Sequence, residues 1–247
     1  MTELWETARH PDVGHLANTA LLAPLALVQA RRAVRRAPRL PAASGPAHGT
    51  AGHGDPRRRL LVIGESTAAG VGAGAHGRAL PGFLAAAMSR RVGGTVTWAV
   101  RGKSGATARK VLAELVPSGQ QPFDVTVLTV GINDLFDRRA PRLWAADLRG
   151  LIDALSGEGG RTRVIVSGMP PVQRVPAIPQ PLRFVLSRRA RAMDRVTRQV
   201  SAERGAVYVP ISAAIVRGEG LFASDGFHPS EAGYRVWAGV LAGAMPG

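Results

Sequence analysis

One serine, one histidine and two potential hydrogen-bond donors stand where they could act together on an ester. Ser66 directly follows an apolar run, and His228 comes three residues after Asp225. A serine hydroxyl is a weak nucleophile until a neighbouring base takes its proton, and imidazole suits that task near neutral pH. Attack on an ester carbonyl creates an oxyanion, which needs donors pointing at the developing charge. Gly105 and Asn133 follow two further apolar runs, where a glycine N–H and a side-chain amide are uncharged hydrogen-bond donors.

His228 is the best-placed base among the six histidines of the sequence. Asp225 stands close enough to share a loop with it and orient its ring. His76 is the competing candidate, because it lies near Ser66 in sequence, but it has no paired acid nearby. The other four histidines fall in the N-terminal tail or in a predicted linker: His10, His15, His48 and His53.

Short apolar runs alternate with helical stretches from Arg57 onward, which predicts a parallel sheet covered by helices on both faces. The predicted strands are Leu60–Gly64, Val96–Val100, Val125–Val130, Val164–Gly168 and Ala206–Pro210. The predicted helices are Arg78–Arg91, Ala106–Val116, Arg142–Leu155, Leu182–Arg204 and Ser230–Ala244. Ligands of such sheets bind at the carboxyl ends of the strands. Ser66, Gly105 and Asn133 each follow a predicted strand, so we expect them at one edge of the sheet.

These blocks resemble the SGNH hydrolases, also called GDSL-type esterases, over about residues 60–245. The resemblance implies a three-layer α/β/α sandwich with a parallel, flavodoxin-like sheet. It implies that Ser66 is the nucleophile, that His228 is the base, and that Asp225 orients it. It further implies an oxyanion hole made by the backbone N–H groups of Ser66 and Gly105 and by the side-chain amide of Asn133.

The wider chain is similar to bacterial lysophospholipase-L1-like esterases, and the proline-rich segment Pro170–Pro181 fits that subgroup. We therefore expect hydrolysis of a lipid or short-chain carboxylic ester through an acyl-enzyme, with neither metal nor cofactor. The family's first block usually reads Gly-Asp-Ser, whereas Glu65 stands in place of the aspartate here. Deacetylation of a carbohydrate is an alternative activity, and a non-catalytic binding protein that retains the pocket is an alternative class.

Structural roles for the same residues are weaker interpretations. Ser66 could cap a helix, since serine is a common N-cap, and Asn133 could belong to a plain turn. Gly72, Gly74 and Gly77 match the G-x-G-x-x-G pattern of dinucleotide-binding proteins. That fingerprint places its glycines immediately after the strand, whereas these lie several residues beyond the predicted strand end.

Composition narrows the classes of function. The chain has no cysteine, which excludes disulfides, thiolate metal sites and cysteine nucleophiles. The net charge is +15, and all but two of the 32 basic residues are arginine. We expect no nucleic-acid partner, because no run of aromatic and basic residues forms a stacking platform for bases.

The N-terminal region carries an uncharged, mostly apolar stretch, Leu16–Ala30, followed by five arginines up to Arg39. A spanning helix needs about 20 residues, and a secretory signal would place its positive charge before the apolar stretch. We therefore expect a cytoplasmic protein. Residues 16–39 either attach it to the anionic inner face of the membrane or form a helix that packs on the domain. Pro38–Asp55 has the composition of a linker, which predicts an N-terminal segment of residues 1–55 and a hydrolase domain of residues 56–247.

Overall fold

The computed structural model describes residues 40–116, 123–211 and 218–245. Six strands lie in these ranges: β1 (His48–Ala51), β2 (Arg57–Gly64), β3 (Thr95–Gly102), β4 (Val125–Thr129), β5 (Arg163–Ser167) and β6 (Val207–Val209). The α-helices are α1 (Leu80–Val92), α2 (Ala108–Glu114), α3 (Ile132–Phe136), α4 (Pro141–Ser156), α5 (Leu182–Glu203) and α6 (Glu231–Gly243). Short 3-10 turns occur at His76–Arg78, Glu158–Gly160 and Val172–Arg174.

The strands form one sheet in the order β1-β3-β2-β4-β5-β6. The strands from β2 to β6 pair in parallel, and β1 joins the edge antiparallel to β3. Counted along the chain, the five parallel strands have the order 2-1-3-4-5 that defines flavodoxin-like sheets. The order reverses between β2 and β4, and this is where such sheets open a crevice for ligands.

Helices cover both faces of the sheet, because neighbouring strand residues point to opposite sides and both sides are apolar. In β2, Leu60 and Val62 pack in the layer with α1 and α6, whereas Leu61 and Ile63 pack in the layer with α2, α4 and α5. The result is a three-layer α/β/α sandwich, as the sequence predicts.

Local sequence sets the helix ends. Pro141 occupies the first turn of α4, where its missing N–H costs nothing, and Gly93 ends α1 in a left-handed conformation. Ser230 caps α6 by accepting a hydrogen bond from the Gly233 N–H at 3.2 Å. That last cap fixes the helix that follows His228.

The five predicted strands and five predicted helices are present, with ends shifted by a few residues. In the described ranges, one strand and one α-helix were not predicted from the sequence, β1 and the short helix α3. Strand β1 lies within the 38–55 segment predicted to be a linker, so the sheet includes residues that precede the predicted domain start at residue 56. The backbone N–H of Ala43 also donates to the Ala69 carbonyl at 3.0 Å.

The proposed membrane segment, residues 16–39, lies outside the described residues. None of the helices in the described ranges combines the length and the apolar character that crossing a bilayer requires.

Candidate active site

Ser66 lies just beyond the end of β2, at the carboxyl edge of the sheet. The chain turns sharply there: the Ala69 N–H donates to the Glu65 carbonyl and the Val71 N–H to the Ser66 carbonyl, both at 3.0 Å. The turn leaves Ser66 only 4% exposed, with its hydroxyl on the side of the His228 ring. Ser66 Oγ lies 3.0 Å from His228 Nε2, which is hydrogen-bond distance between a nucleophile and its base.

Asp225 holds the other side of the histidine ring. Its Oδ2 lies 2.6 Å from His228 Nδ1, and its Oδ1 accepts the backbone N–H groups of Phe227 at 2.9 Å and His228 at 3.0 Å. Burial opposes ionisation of this carboxyl, but the bonds from the His228 ring and the two N–H groups prevail and hold the pKa of Asp225 below its usual value. An ionised Asp225 favours the tautomer protonated at Nδ1, which leaves Nε2 free to accept the Ser66 proton.

The loop that carries His228 packs tightly on the segment after Ser66. Gly72 has a φ of +97°, and a Cβ there would lie 2.3 Å from the Pro229 carbonyl oxygen, so only glycine fits. The Gly74 N–H donates to Glu231 Oε1 at 3.2 Å, and the Tyr234 hydroxyl donates to the Val71 carbonyl at 2.7 Å. These contacts join the segment after Ser66 to the loop and helix after His228, and so hold the two side chains near each other.

A second turn, after β3, presents Gly105. It is anchored to β2 because the Lys103 N–H donates to the Gly64 carbonyl at 3.2 Å. Gly105 adopts a φ of +76°, a left-handed conformation that favours glycine. Asp134 fixes the far side of the turn, since its Oδ2 accepts the Ala108 N–H at the start of α2 at 2.9 Å.

The backbone N–H groups of Ser66 and Gly105 donate to no acceptor within residues 40–116, 123–211 and 218–245. Both residues stand at the edge of the sheet that carries the serine hydroxyl. Unpaired backbone N–H groups are the kind of donor that a developing oxyanion requires. The oxyanion-hole role of Ser66 and Gly105 stays a prediction.

The side-chain amide of Asn133, which is predicted to be an oxyanion donor, is hydrogen-bonded to other parts of the protein. It is brought to the site by α3, directly after β4, but both of its amide hydrogens are engaged. Nδ2 donates to Glu65 Oε2 at 2.6 Å and to the Ala106 carbonyl at 3.0 Å. In this arrangement both amide hydrogens are bound to protein acceptors.

Glu65 stands out in the sequence only as a departure from a motif, yet in the structure it contacts the site directly. Its carboxyl is buried and accepts the Ile132 N–H at 3.2 Å, the Asn133 N–H at 3.3 Å and the Asn133 side-chain amide. Burial raises the pKa of Glu65 to about 8, against the opposing effect of these hydrogen bonds. The sequence showed that glutamate replaces the usual aspartate before Ser66. It did not show that this glutamate contacts the Asn133 amide.

A largely apolar cleft opens beside Ser66 and extends towards β5 and β6. Its walls carry small and aromatic apolar side chains: Pro170, Pro171, Val175, Ile211, Leu221, Phe222, Phe227 and Trp237. Hydroxyl groups from successive strand ends line the same cleft: Thr67, Thr129 and Ser167. Thr67 Oγ1 donates to Thr129 Oγ1 at 3.2 Å, whereas the buried Ser167 Oγ has no partner within the described part of the chain.

His76 and the glycine pattern at 72–77 have structural roles away from the Ser66 hydroxyl. His76 lies in a 3-10 turn, where its N–H donates to the Ser44 carbonyl, and burial lowers the pKa of its ring. Its Nδ1 is buried without a partner in the described ranges, whereas the ring at the Ser66 hydroxyl is that of His228. Within the glycine pattern, Gly72 packs closely on the His228 loop, whereas a Cβ at Gly74 would make an ordinary contact and one at Gly77 would meet no atom within 4 Å.

The sequence of the chain is similar to those of known proteins. A sequence model of the GDSL-like lipase/acylhydrolase family matches residues 62–236. A GDSL-like esterase of Mycobacterium tuberculosis, Rv1075c, is 28% identical over 191 residues, which is 74% of this chain. The chain spans about 60% of the length of that relative.

Two solved structures have a similar fold. One is LAE5, an alpha/beta hydrolase enzyme from the metagenome of Lake Arreo, with a TM-score of 0.58 and 19% identity over 77% of this chain and 97% of that one. The other is a lipase/acylhydrolase from Enterococcus faecalis, with a TM-score of 0.55 and 21% identity over 75% of this chain and 93% of that one. At these identities the likeness concerns the fold.

We predict that Asp225→Asn lowers kcat for hydrolysis of 4-nitrophenyl butyrate by up to about 10⁴-fold, the loss caused by the same change in a serine protease triad. The neutral amide no longer favours the histidine tautomer whose Nε2 accepts the serine proton. Steady-state kinetics measures the effect. Asp153→Asn, at an exposed carboxyl paired with Arg204, is the matched control and should leave kcat unchanged.

The same assay separates the two histidines. His228→Ala should abolish turnover and His76→Ala should retain it. Greater damage from His76→Ala than from His228→Ala would contradict the assignment of the base.

Proposed function

The chain belongs to the GDSL-like lipase/acylhydrolase family, and from that premise we propose that it hydrolyses a carboxylic ester through an acyl-enzyme on Ser66. The observation that carries the proposal is the continuous contact from Asp225 through His228 to the Ser66 hydroxyl, at 2.6 and 3.0 Å. It provides a nucleophile, a base and a group that orients the base, which are the three parts of covalent hydrolysis.

The proposed reaction has two halves. His228 Nε2 takes the Ser66 proton as Oγ bonds to the ester carbonyl carbon, and the oxyanion is held by the N–H groups of Ser66 and Gly105. The tetrahedral intermediate then breaks its bond to the alcohol oxygen, which receives the proton from His228 and leaves. In the second half His228 deprotonates a water molecule, which attacks the acyl carbon. The acid is released and the Ser66 hydroxyl recovers its proton.

The apolar cleft supports an acyl chain as the group bound beside Ser66. Apolar walls favour hydrocarbon, because each buried methylene is worth about 0.8 kcal/mol. An acetyl group would occupy only the part of the cleft next to Ser66, so an acyl ester of a lipid or short-chain alcohol fits better than an acetylated carbohydrate. A lysophospholipid-like substrate belongs to this class.

Strand register supports a direction for the acyl chain. Gly64 pairs with Thr129, and Leu128 pairs with Val166, so Gly64, Thr129 and Ser167 lie on one line across three strands. Ser167 is therefore about 10 Å from Gly64, two strand spacings across the sheet. We propose that the acyl chain crosses the end of β4 and that its distal carbons lie near Ser167 at the end of β5.

A binding protein without catalysis is the second candidate. The observation that favours it is the engagement of the Asn133 amide by Glu65 and by the Ala106 carbonyl, which removes one expected oxyanion donor. The intact Ser66–His228–Asp225 contacts favour the enzyme.

We also propose that residues 16–39 attach the domain to anionic membrane. The support is in the sequence, where the uncharged Leu16–Ala30 is followed by arginines. Each cation near an anionic surface adds about 1 kcal/mol, so the arginines reinforce an apolar segment that is weak alone.

We predict that a fluorophosphonate labels wild-type protein at Ser66, with Oγ bonding to phosphorus and fluoride leaving. Ser66→Ala should lose both the label and the esterase activity, with an unchanged circular dichroism spectrum. Intact-mass and peptide mass spectrometry measure the label. Absence of labelling in folded wild type would favour the binding protein, and labelling of folded Ser66→Ala would show that another residue is the nucleophile.

We predict that Ser167→Leu shortens the acyl cleft. The value of kcat/KM for 4-nitrophenyl octanoate should fall about tenfold, since overfilling a packed site costs ~1–3 kcal/mol. Hydrolysis of 4-nitrophenyl acetate should stay within about twofold and serves as the control for folding, because a general loss of structure would affect both esters. Equal loss on both esters, or none on the octanoate, would contradict the placement of the chain.

We predict that removing residues 1–39 weakens binding to vesicles of anionic phospholipid and leaves turnover of soluble esters unchanged. Added salt and neutralisation of Arg31, Arg32, Arg35 and Arg36 should weaken binding in the same way, because the attraction is electrostatic. Co-sedimentation with anionic and zwitterionic vesicles measures it. Unchanged binding after truncation would exclude the segment as the anchor, and unfolding of the truncated protein would favour a helix packed on the domain.

A further inference from the structure

The side-chain amide of Asn133 has no hydrogen left for a substrate. A primary amide carries two N–H groups, and here one donates to Glu65 Oε2 and the other to the Ala106 carbonyl. The amide can reach an oxyanion only if one of these bonds breaks. We infer that Glu65 controls this step: it is a positioning residue that withholds the Asn133 amide from the oxyanion hole until its carboxyl releases it. The inference rests on the proposed ester hydrolysis at Ser66.

The contact to Glu65 is the shorter of the two, at 2.6 Å against 3.0 Å for the Ala106 carbonyl. The Glu65 carboxyl cannot swing away easily, because the N–H groups of Ile132 and Asn133 also hold it, one at each oxygen. Glu65 directly precedes the nucleophile, so its backbone is fixed by the turn that presents Ser66. The position of the amide therefore depends on the length and charge of this one side chain.

Side-chain length is the first variable. Aspartate at position 65 would end one methylene short of the present carboxyl, which moves its oxygens away from Asn133 Nδ2. The backbone donors on α3 could still reach a carboxylate through small shifts, whereas the bond to the side-chain amide would lengthen. Glu65→Asp should therefore free one amide hydrogen for the oxyanion.

Charge is the second variable. An ionised carboxylate binds an N–H roughly twice as strongly as a neutral acceptor does. Burial raises the pKa of Glu65 to about 8, and the nearby carboxylate of Asp134 adds to the effect. The other ionisable groups at the site are His228, which contacts the Ser66 hydroxyl, and Asp225, which contacts His228. Below about pH 8 the acid is mostly neutral and holds the amide weakly, and above it the carboxylate holds the amide firmly.

A double-mutant cycle tests the inference, with 4-nitrophenyl butyrate as substrate. Measured above pH 8, where the Glu65 carboxylate holds the amide firmly, Glu65→Asp should raise kcat about tenfold with little change in KM, a part of the ~10²–10³ that an oxyanion donor typically contributes. In the Asn133→Ala background the same change should have no effect, because no amide remains to be released. Glu203→Asp, a partly exposed glutamate paired with Arg149, is the matched control and should leave kcat unchanged. An equal effect of Glu65→Asp in both backgrounds, or a fall in kcat only where Asn133 is present, would overturn the inference.

The pH dependence of kcat gives a second test. Wild type should lose activity as pH rises through about 8, when Glu65 ionises, and Asn133→Ala should lack this alkaline decline. An alkaline decline of the same size and midpoint in Asn133→Ala would contradict the role of the amide.

A measurement on unmodified protein does not depend on turnover. The ¹⁵N side-chain amide resonance of Asn133, assigned by its absence in Asn133→Ala, should shift with a midpoint near pH 8 in wild type. A resonance that does not titrate in this range would overturn the inference even if esters are hydrolysed. The protein could show titration of the amide and yet neither turn over esters nor react with a fluorophosphonate. That result would support the contact of Glu65 with Asn133 and refute the proposed ester hydrolysis.

Discussion

The hydrogen bond between Ser66 and His228 is the contact on which the rest of the arrangement depends. The two residues are 162 positions apart in the chain, yet their side chains approach to 3.0 Å. No local propensity can bring them together, so the sheet order must do so: β2 ends at the point where the strand order reverses, and the loop before α6 returns to that edge. The fit of Gly72 against Pro229 and the bond from Tyr234 to Val71 then secure the loop. The close packing between segments distant in sequence serves this one contact.

The sequence was sufficient for the parts of the fold that repeat a simple pattern. Apolar runs such as Leu60–Gly64 predict buried parallel strands, and the amphipathic stretch at Leu182–Arg204 predicts α5, because each pattern reflects burial of a whole face. Strand β1 was missed because His48–Ala51 is short, lies on the sheet edge and has the composition of a linker. Its place is set by pairing with β3, a tertiary contact that composition does not encode.

The candidate site was predictable as a set of residues but not as a set of contacts. The types and order of Ser66, Asp225 and His228 indicate their roles, and the side chains lie in contact. The orientation of Asn133 was not predictable, because it depends on whether the residue at position 65 is long enough to reach the amide. Likewise Asp134 looks like a turn residue in sequence, whereas in the structure its side chain, carried by α3, accepts the first N–H of α2 from Ala108. Such contacts depend on side-chain lengths that differ by one methylene, and the spacing of residues in the sequence does not reveal them.

Burial acts in two opposite ways at this edge of the sheet. Shielding from water at Ser66 strengthens the hydrogen bond that its backbone N–H could offer to an oxyanion, because the local dielectric is low. The same shielding penalises the charge of the Glu65 carboxyl and raises its pKa to about 8. This acid, which directly precedes Ser66, is therefore mostly neutral at neutral pH. A buried aspartate would face the same penalty, so the substitution by glutamate matters chiefly through reach. The glutamate carboxyl reaches the Asn133 amide and fills its hydrogen-bonding capacity with a protein partner. The chemistry of the site is therefore set jointly by how deeply the acid is buried and by how far its side chain extends.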